Sequence, residues 1–222
     1  AASALGQLAR GMPGNQDLIA QEGGLQPLVG LLSASGSLVP QMAAFAVTEV
    51  CRGHAPNQTA AAECGTVRAL VELLKDGKDE KVKEEAVGAI WVLSEGHADN
   101  KKAIALAGGI QPTAELVAKG TPRGQSLATL ALASLGLTNV RNQTEITTLL
   151  VGLLSTGGAE VKRKASELLW TLVHANPDTQ QEMANAGSMS AIIGLLKDGH
   201  AGNRKYALWS LSLAIDESNQ KT

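Results

Sequence analysis

Small and apolar residues recur along this chain at relative positions 0, 3, 4 and 7, the stripe of a helix buried along one side. The copies are Ala1, Ala4, Leu5, Leu8; Ala43, Ala46, Val47, Val50; Ala86, Ala89, Ile90, Leu93; Ala128, Ala131, Leu132, Leu135; Ala165, Leu168, Leu169, Leu172; and Ala207, Ser210, Leu211, Ala214. Alanine at position 0 in every copy predicts helices that approach too closely there for a larger side chain. Between these stripes the pattern predicts two further helices. Leu28, Leu31 and Leu32 share a face of one, as do Leu70, Leu73 and Leu74 in the next copy. Gly23, Gly65, Gly108 and Gly187 stand where the shorter helix before it must end, and Asn15, Asn57 and Asn100 are read as that helix's N-caps.

The polar residues carry the period. Asn-Gln occurs at 15, 57, 142 and 219, with Asn100-Lys101 between, giving steps of 42, 43, 42 and 77, the last holding two units. A second phrase keeps the same register: Glu22-Gly-Gly-Leu-Gln-Pro-Leu-Val-Gly-Leu-Leu32 is echoed by Cys64 to Leu74, Ala107 to Val117 and Ala186 to Leu196. The loop Gly53-His-Ala-Pro-Asn57 returns as Gly96-His-Ala-Asp-Asn100. Each unit therefore reads as three helices, and the chain as about sixteen to eighteen helices without a sheet. The unit begun at Asn142 is shorter. Asn142 precedes Leu153 by 11 residues where Asn15 precedes Leu31 by 16, so its first helix is expected to be short or fused with its second.

Composition narrows the chemistry. Nineteen Lys and Arg against 21 Asp and Glu give a net charge of −2, and only five aromatic residues are present, which disfavours a nucleic-acid groove. Cys51 and Cys64 form no CxxC and have no His pair at ligand spacing, so neither a disulfide framework nor a zinc site is expected. No phosphate loop, Gly-x-Ser-x-Gly elbow, His-Glu-x-x-His or dinucleotide fingerprint occurs. No catalytic residue, cofactor or metal is assigned. His54 and His97, at the same loop position in successive units, read as structural.

The Gly-hydrophobic-Pro-Leu-Val-x-Leu-Leu phrase and the Ala-Ala-x-Ala-Leu-x-x-Leu helix, about 42 residues apart, resemble armadillo repeats along nearly the whole chain. The resemblance implies an all-α, right-handed α-α superhelix whose third helices line a concave face. A single array over 1–222 is expected: a partial repeat at 1–13, repeats at 14–55, 56–98 and 99–140, a shortened one at 141–177, another at 178–217 and a stub at 218–222. Both ends lack a polar cap, which predicts a segment of a longer protein with self-association through the uncovered ends.

The resemblance also implies a ligand groove. In armadillo proteins of the importin-alpha type, Asn at position 6 of the third helix clamps a peptide backbone and Trp at position 2 cradles Lys stems. Position 6 here holds Gln7, Glu49, Val92, Ser134, Thr171 and Leu213, and position 2 holds Ser3, Phe45, Gly88, Leu130, Glu167 and Trp209. Position 9 adds Arg10, Arg52, Glu95, Leu137 and His174. The candidate partner-binding residues are Gln7, Arg10, Phe45, Glu49, Arg52, Val92, Glu95, Leu130, Ser134, Glu167, Thr171, His174, Trp209 and Leu213. Trp91 and Trp170, at position 5, are read as packing or as an edge of the groove. The expected function is a non-enzymatic scaffold for a partner protein or extended peptide, intracellular and cytoplasmic. The alternatives are a substrate-recognition segment of a larger enzyme such as a ubiquitin ligase and, less favoured, a nuclear import adaptor.

Overall fold

The computed structural model describes residues 1–77 and 79–175 together with scattered positions between 193 and 208. Among the described residues there are twelve helices and no strand: α1 Ala2–Ala9, α2 Pro13–Gln21, α3 Leu25–Leu32, α4 Leu38–Cys51, α5 Ala55–Glu63, α6 Thr66–Asp76, α7 Glu80–Ser94, α8 Ala98–Leu106, α9 Ile110–Lys119, α10 Pro122–Gly136, α11 Val140–Thr156 and α12 Ala159–Ala175. None is long and apolar enough to cross a membrane. Gly187, Trp209, Leu213 and the repeats expected beyond 177 lie outside the continuously described residues.

The helices form a solenoid. α1, α4, α7, α10 and α12 pack side by side, with the shorter helices layered behind them. Ala43, Ala86, Ala128 and Ala165 have no exposed surface, as the alanine at position 0 predicts. One core runs the length of the array, filled by side chains such as Leu28, Leu70, Ile90, Ile104, Leu132 and Leu150. Each is worth about 1.5–3 kcal/mol when fully buried. Gly23, Gly65 and Gly108 end the short helices at φ of 73°, 86° and 75°, left-handed backbone that a Cβ resists.

Two expectations change. The asparagines are not N-caps. His54, His97 and Asn139 cap α5, α8 and α11, their side chains accepting from the backbone N–H of Asn57, Asn100 and Asn142 at 3.3, 3.3 and 3.1 Å. Asn57, Asn100 and Asn142, 2–3% exposed, instead stitch repeats together, whereas the half-buried Asn15 donates only to Leu8 O at 2.7 Å. Asn57 Nδ2 donates to Gln16 O and Val50 O, Asn100 Nδ2 to Gln58 O and Leu93 O, and Asn142 Nδ2 to Lys101 O and Leu135 O. The following residue reaches forward: Gln16 Nε2 to Glu49 O, Gln58 Nε2 to Val92 O, Lys101 Nζ to Leu137 O and Gln143 Nε2 to Leu172 O. One side chain ties back and the next ties ahead, so the recurring Asn-Gln is the seam of the solenoid.

The charge clusters at third-helix starts, Lys78 to Glu85 and Lys162-Arg163-Lys164, have the composition of solvated faces, yet members of both tie helices together. Glu84 is buried and pairs with Arg123 at 3.0 Å, which also meets Glu85 at 2.8 Å, binding α7 to α10. The Glu85 hydrogen bond leads in raising the Arg123 pKa above its ordinary value. Lys164 is buried and donates to Gln125 at 3.0 Å, binding α12 to α10.

Candidate partner-binding groove

The surface of the stacked third helices is built at their C-terminal corners. Arg10, Arg52, Glu95 and Leu137 are the C-caps of α1, α4, α7 and α10, and all four leave the helix in extended backbone, with ψ of 113°, 116°, 115° and 126°. The next residue is left-handed, at Gly11, Gly53, Gly96 and Thr138, which turns the chain sharply into the following short helix. This corner aims the position-9 side chain outward while the backbone doubles back beneath it. Arg10, Arg52 and Glu95 are exposed and Leu137 is half-buried.

The two arginines are held over aromatic rings. Arg10 Cζ lies 5.0 Å from the centroid of Phe45, and Arg52 Cζ lies 5.8 Å from that of Trp91. Phe45 itself lies against α1. A Cβ on Gly6 would come within 2.5 Å of the Phe45 ring, so the missing side chain makes the seat. Between the arginines sits Glu49, only 6% exposed, 3.5 Å from Arg10 Nε and 3.2 Å from Arg52 Nη2. Farther along, the exposed His174 ring stacks on Trp170 at 5.2 Å and 9°.

Position 6, expected to face a ligand, mostly points inward. Val92 is fully buried, Glu49 lies beneath the arginines, and Ser134 is buried, accepting from Ser94 Oγ at 2.9 Å. Gln7 is exposed, and Thr171 is half-buried, its hydroxyl donating to Glu167 O. At position 2, Leu130 is exposed and Glu167 accepts from Arg163 on its own helix at 3.0 Å. Trp209 and Leu213 lie outside the described residues. The face therefore joins Arg10, Phe45, Arg52, Trp91 and Glu95 in one strip, with Trp170 and His174 farther along. Position 5 supplies the two tryptophans. The signal for them is the four-residue step Trp91 to Glu95 and Trp170 to His174, which puts each pair on one helix face.

Cys51 and Cys64 are free. Burial, with a smaller contribution from Cys64, pushes the Cys51 thiol up to about 12, which keeps it an unreactive core group. Asn57 and Asn142 each begin an Asn-x-Thr sequon, yet both amides are consumed inside the seam.

The Armadillo/beta-catenin-like repeat family matches residues 54–95. The described residues have the fold of an armadillo-repeat array. Three solved structures share the chain's fold. It is 25% identical to a designed armadillo repeat protein in complex with the peptide (KR)4, covering 96% of this chain and 91% of that one at a TM-score of 0.78. It is 27% identical to an engineered protein over 96% of this chain and 88% of that one, at a TM-score of 0.77. A computationally designed armadillo repeat protein for modular peptide recognition has the same fold at 24% identity, covering 96% and 91%, with a TM-score of 0.76. Among curated proteins none matches.

Proposed function

We propose that this armadillo array is a non-enzymatic scaffold that binds an extended segment of a partner protein along its third-helix face. The observation carrying this reading is a contrast between two layers of the same corner. The seam below repeats from unit to unit as Asn57, Asn100 and Asn142, whereas the outward position above it changes from Arg10 and Arg52 to Glu95, Leu137 and His174. The helix junctions account for the repeated layer and do not by themselves require the sequence of the variable one to change from unit to unit. Half-buried aromatic rings under the variable side chains supply the apolar contact area that partner surfaces use. The designed relatives that bind peptides share the fold, which makes the same mode of use available here.

Selection of a displayed peptide library on the full chain tests this. Enriched peptides are expected to lose binding on Trp91→Ala and Arg52→Ala and to keep it on Arg68→Ala, an exposed position on α6. Peptides that are indifferent to the first two changes would place binding elsewhere on the molecule.

A further inference from the structure

We infer that the first three rungs of the groove select an acidic segment, pairing Asp or Glu side chains of an extended partner with Arg10 and Arg52 and a basic one with Glu95. The inference rests on the groove reading above and adds the chemistry of the occupant. Two guanidiniums stand over Phe45 and Trp91, with Cζ 5.0 and 5.8 Å from the ring centroids, and remain open to solvent. Below them is one carboxylate, Glu49, 3.5 Å from Arg10 and 3.2 Å from Arg52, buried where a ligand does not reach it. One buried acid between two arginines leaves a net positive charge at the surface. Each guanidinium carries five N–H donors in a fixed fork, and the contact to Glu49 occupies few of them. The cation–ring contacts and the shared carboxylate hold both forks in place before a ligand arrives, which reduces the ordering cost of pairing with a second carboxylate.

The third rung reverses sign. Glu95 has the same cap geometry as Arg52 and is exposed, so it faces a ligand's cation. Packed helices lie about 8–10 Å apart and an extended chain advances about 3.3 Å per residue, so successive rungs meet side chains two to three residues apart. Alternate residues of an extended segment point the same way, which suits one contact per rung. A Lys/Arg-rich segment would place its cations against Arg10 and Arg52, the reverse of what this corner favours.

Fluorescence anisotropy on the full chain, with labelled short peptides in which Asp, Lys or Gly alternates with Ser, decides it. The Asp/Ser peptide is expected to bind about tenfold more tightly than the Gly/Ser peptide at low salt, with an advantage that shrinks as salt rises. Arg10→Gln with Arg52→Gln should abolish that advantage while leaving the helical circular dichroism unchanged. Arg52→Lys, which keeps the charge but loses the planar fork, provides a milder check and should retain part of it. Glu95→Gln should leave Asp/Ser binding equal or stronger. Equal or tighter binding of the Lys/Ser peptide overturns the inference, as does an Asp/Ser advantage that survives the double change, or displacement of the Asp/Ser peptide by a single-stranded oligonucleotide at lower concentration. If all three peptides bind equally, only the acidic preference falls. If none binds, the groove reading falls with it.

Discussion

Residues 54–95 run through three helices, α5, α6 and α7, whereas residues 139–175 run through two, α11 and α12, with no glycine break where α5 gives way to α6. The seam is nevertheless the same in both. Asn142 bonds back to Lys101 O and Leu135 O as Asn57 bonds to Gln16 O and Val50 O, and Gln143 reaches Leu172 O as Gln58 reaches Val92 O. What defines a repeat physically is thus the pair of amides that joins it to its neighbours. The number of helices between successive pairs is adjustable.

The shortened unit shows what the adjustment costs. Thr147, inside α11, is the buried side-chain oxygen among the described residues that has no hydrogen-bond partner. At the corner before it, Thr138 has a φ of 64° where the other corners have Gly11, Gly53 and Gly96. A β-branched residue there is strained by roughly 1–3 kcal/mol. The same corner takes the ammonium of Lys101 in place of a Gln amide, donating to Leu137 O at 2.7 Å and Thr138 Oγ1 at 3.4 Å. Its burial lowers the Lys101 pKa from its ordinary value.

The seam should dominate any test of this comparison. Asn100→Ala and Asn142→Ala each remove two buried hydrogen bonds and open a small void, so each should cost about 2–4 kcal/mol in urea unfolding followed by circular dichroism. Near-equal losses would support a common seam. A loss at Asn142 under about 1 kcal/mol would mean that the fused helix no longer depends on it. Next in size, glycines should answer with opposite sign. Gly65→Val, at φ 86°, should cost about 2 kcal/mol, whereas Gly152→Ala, inside α11 with open space around it, should gain about 0.5–1 kcal/mol. Thr138→Gly should stabilise by about 1 kcal/mol and Gly96→Thr destabilise by a similar amount, read as shifts in thermal midpoint. Thr147→Val, which keeps the shape and deletes the orphan hydroxyl, should stabilise by up to about 1 kcal/mol, and a loss instead would mean that the hydroxyl has a partner in solution.

Much of this architecture could be read from the chain. The Ala43, Ala86, Ala128 and Ala165 series identified the tightly packed helices, and the five-residue shortfall after Asn142 anticipated a short or fused first helix. The role of the asparagines could not be read. An Asn near a helix start has the composition of a cap, and only the partners of Asn57, 41 residues back at Gln16 and 7 back at Val50, distinguish a cap from a seam. The groove register was hidden for a related reason. Positions 6 and 9 are both polar in the first two copies, and whether Glu49 or Arg52 is outermost depends on where α4 ends.

The seam bonds of Asn57, Asn100 and Asn142 span 41 or 42 residues to the preceding short helix. Loop-closure entropy depends on that separation and not on the number of repeats, so closing each junction costs about the same wherever it lies in the array. Low, length-independent contact separation is the condition for folding that nucleates at any favourable repeat and spreads to its neighbours like a zipper. Under tension along the chain the same bonds would yield junction by junction, giving a graded extension in place of a single rupture.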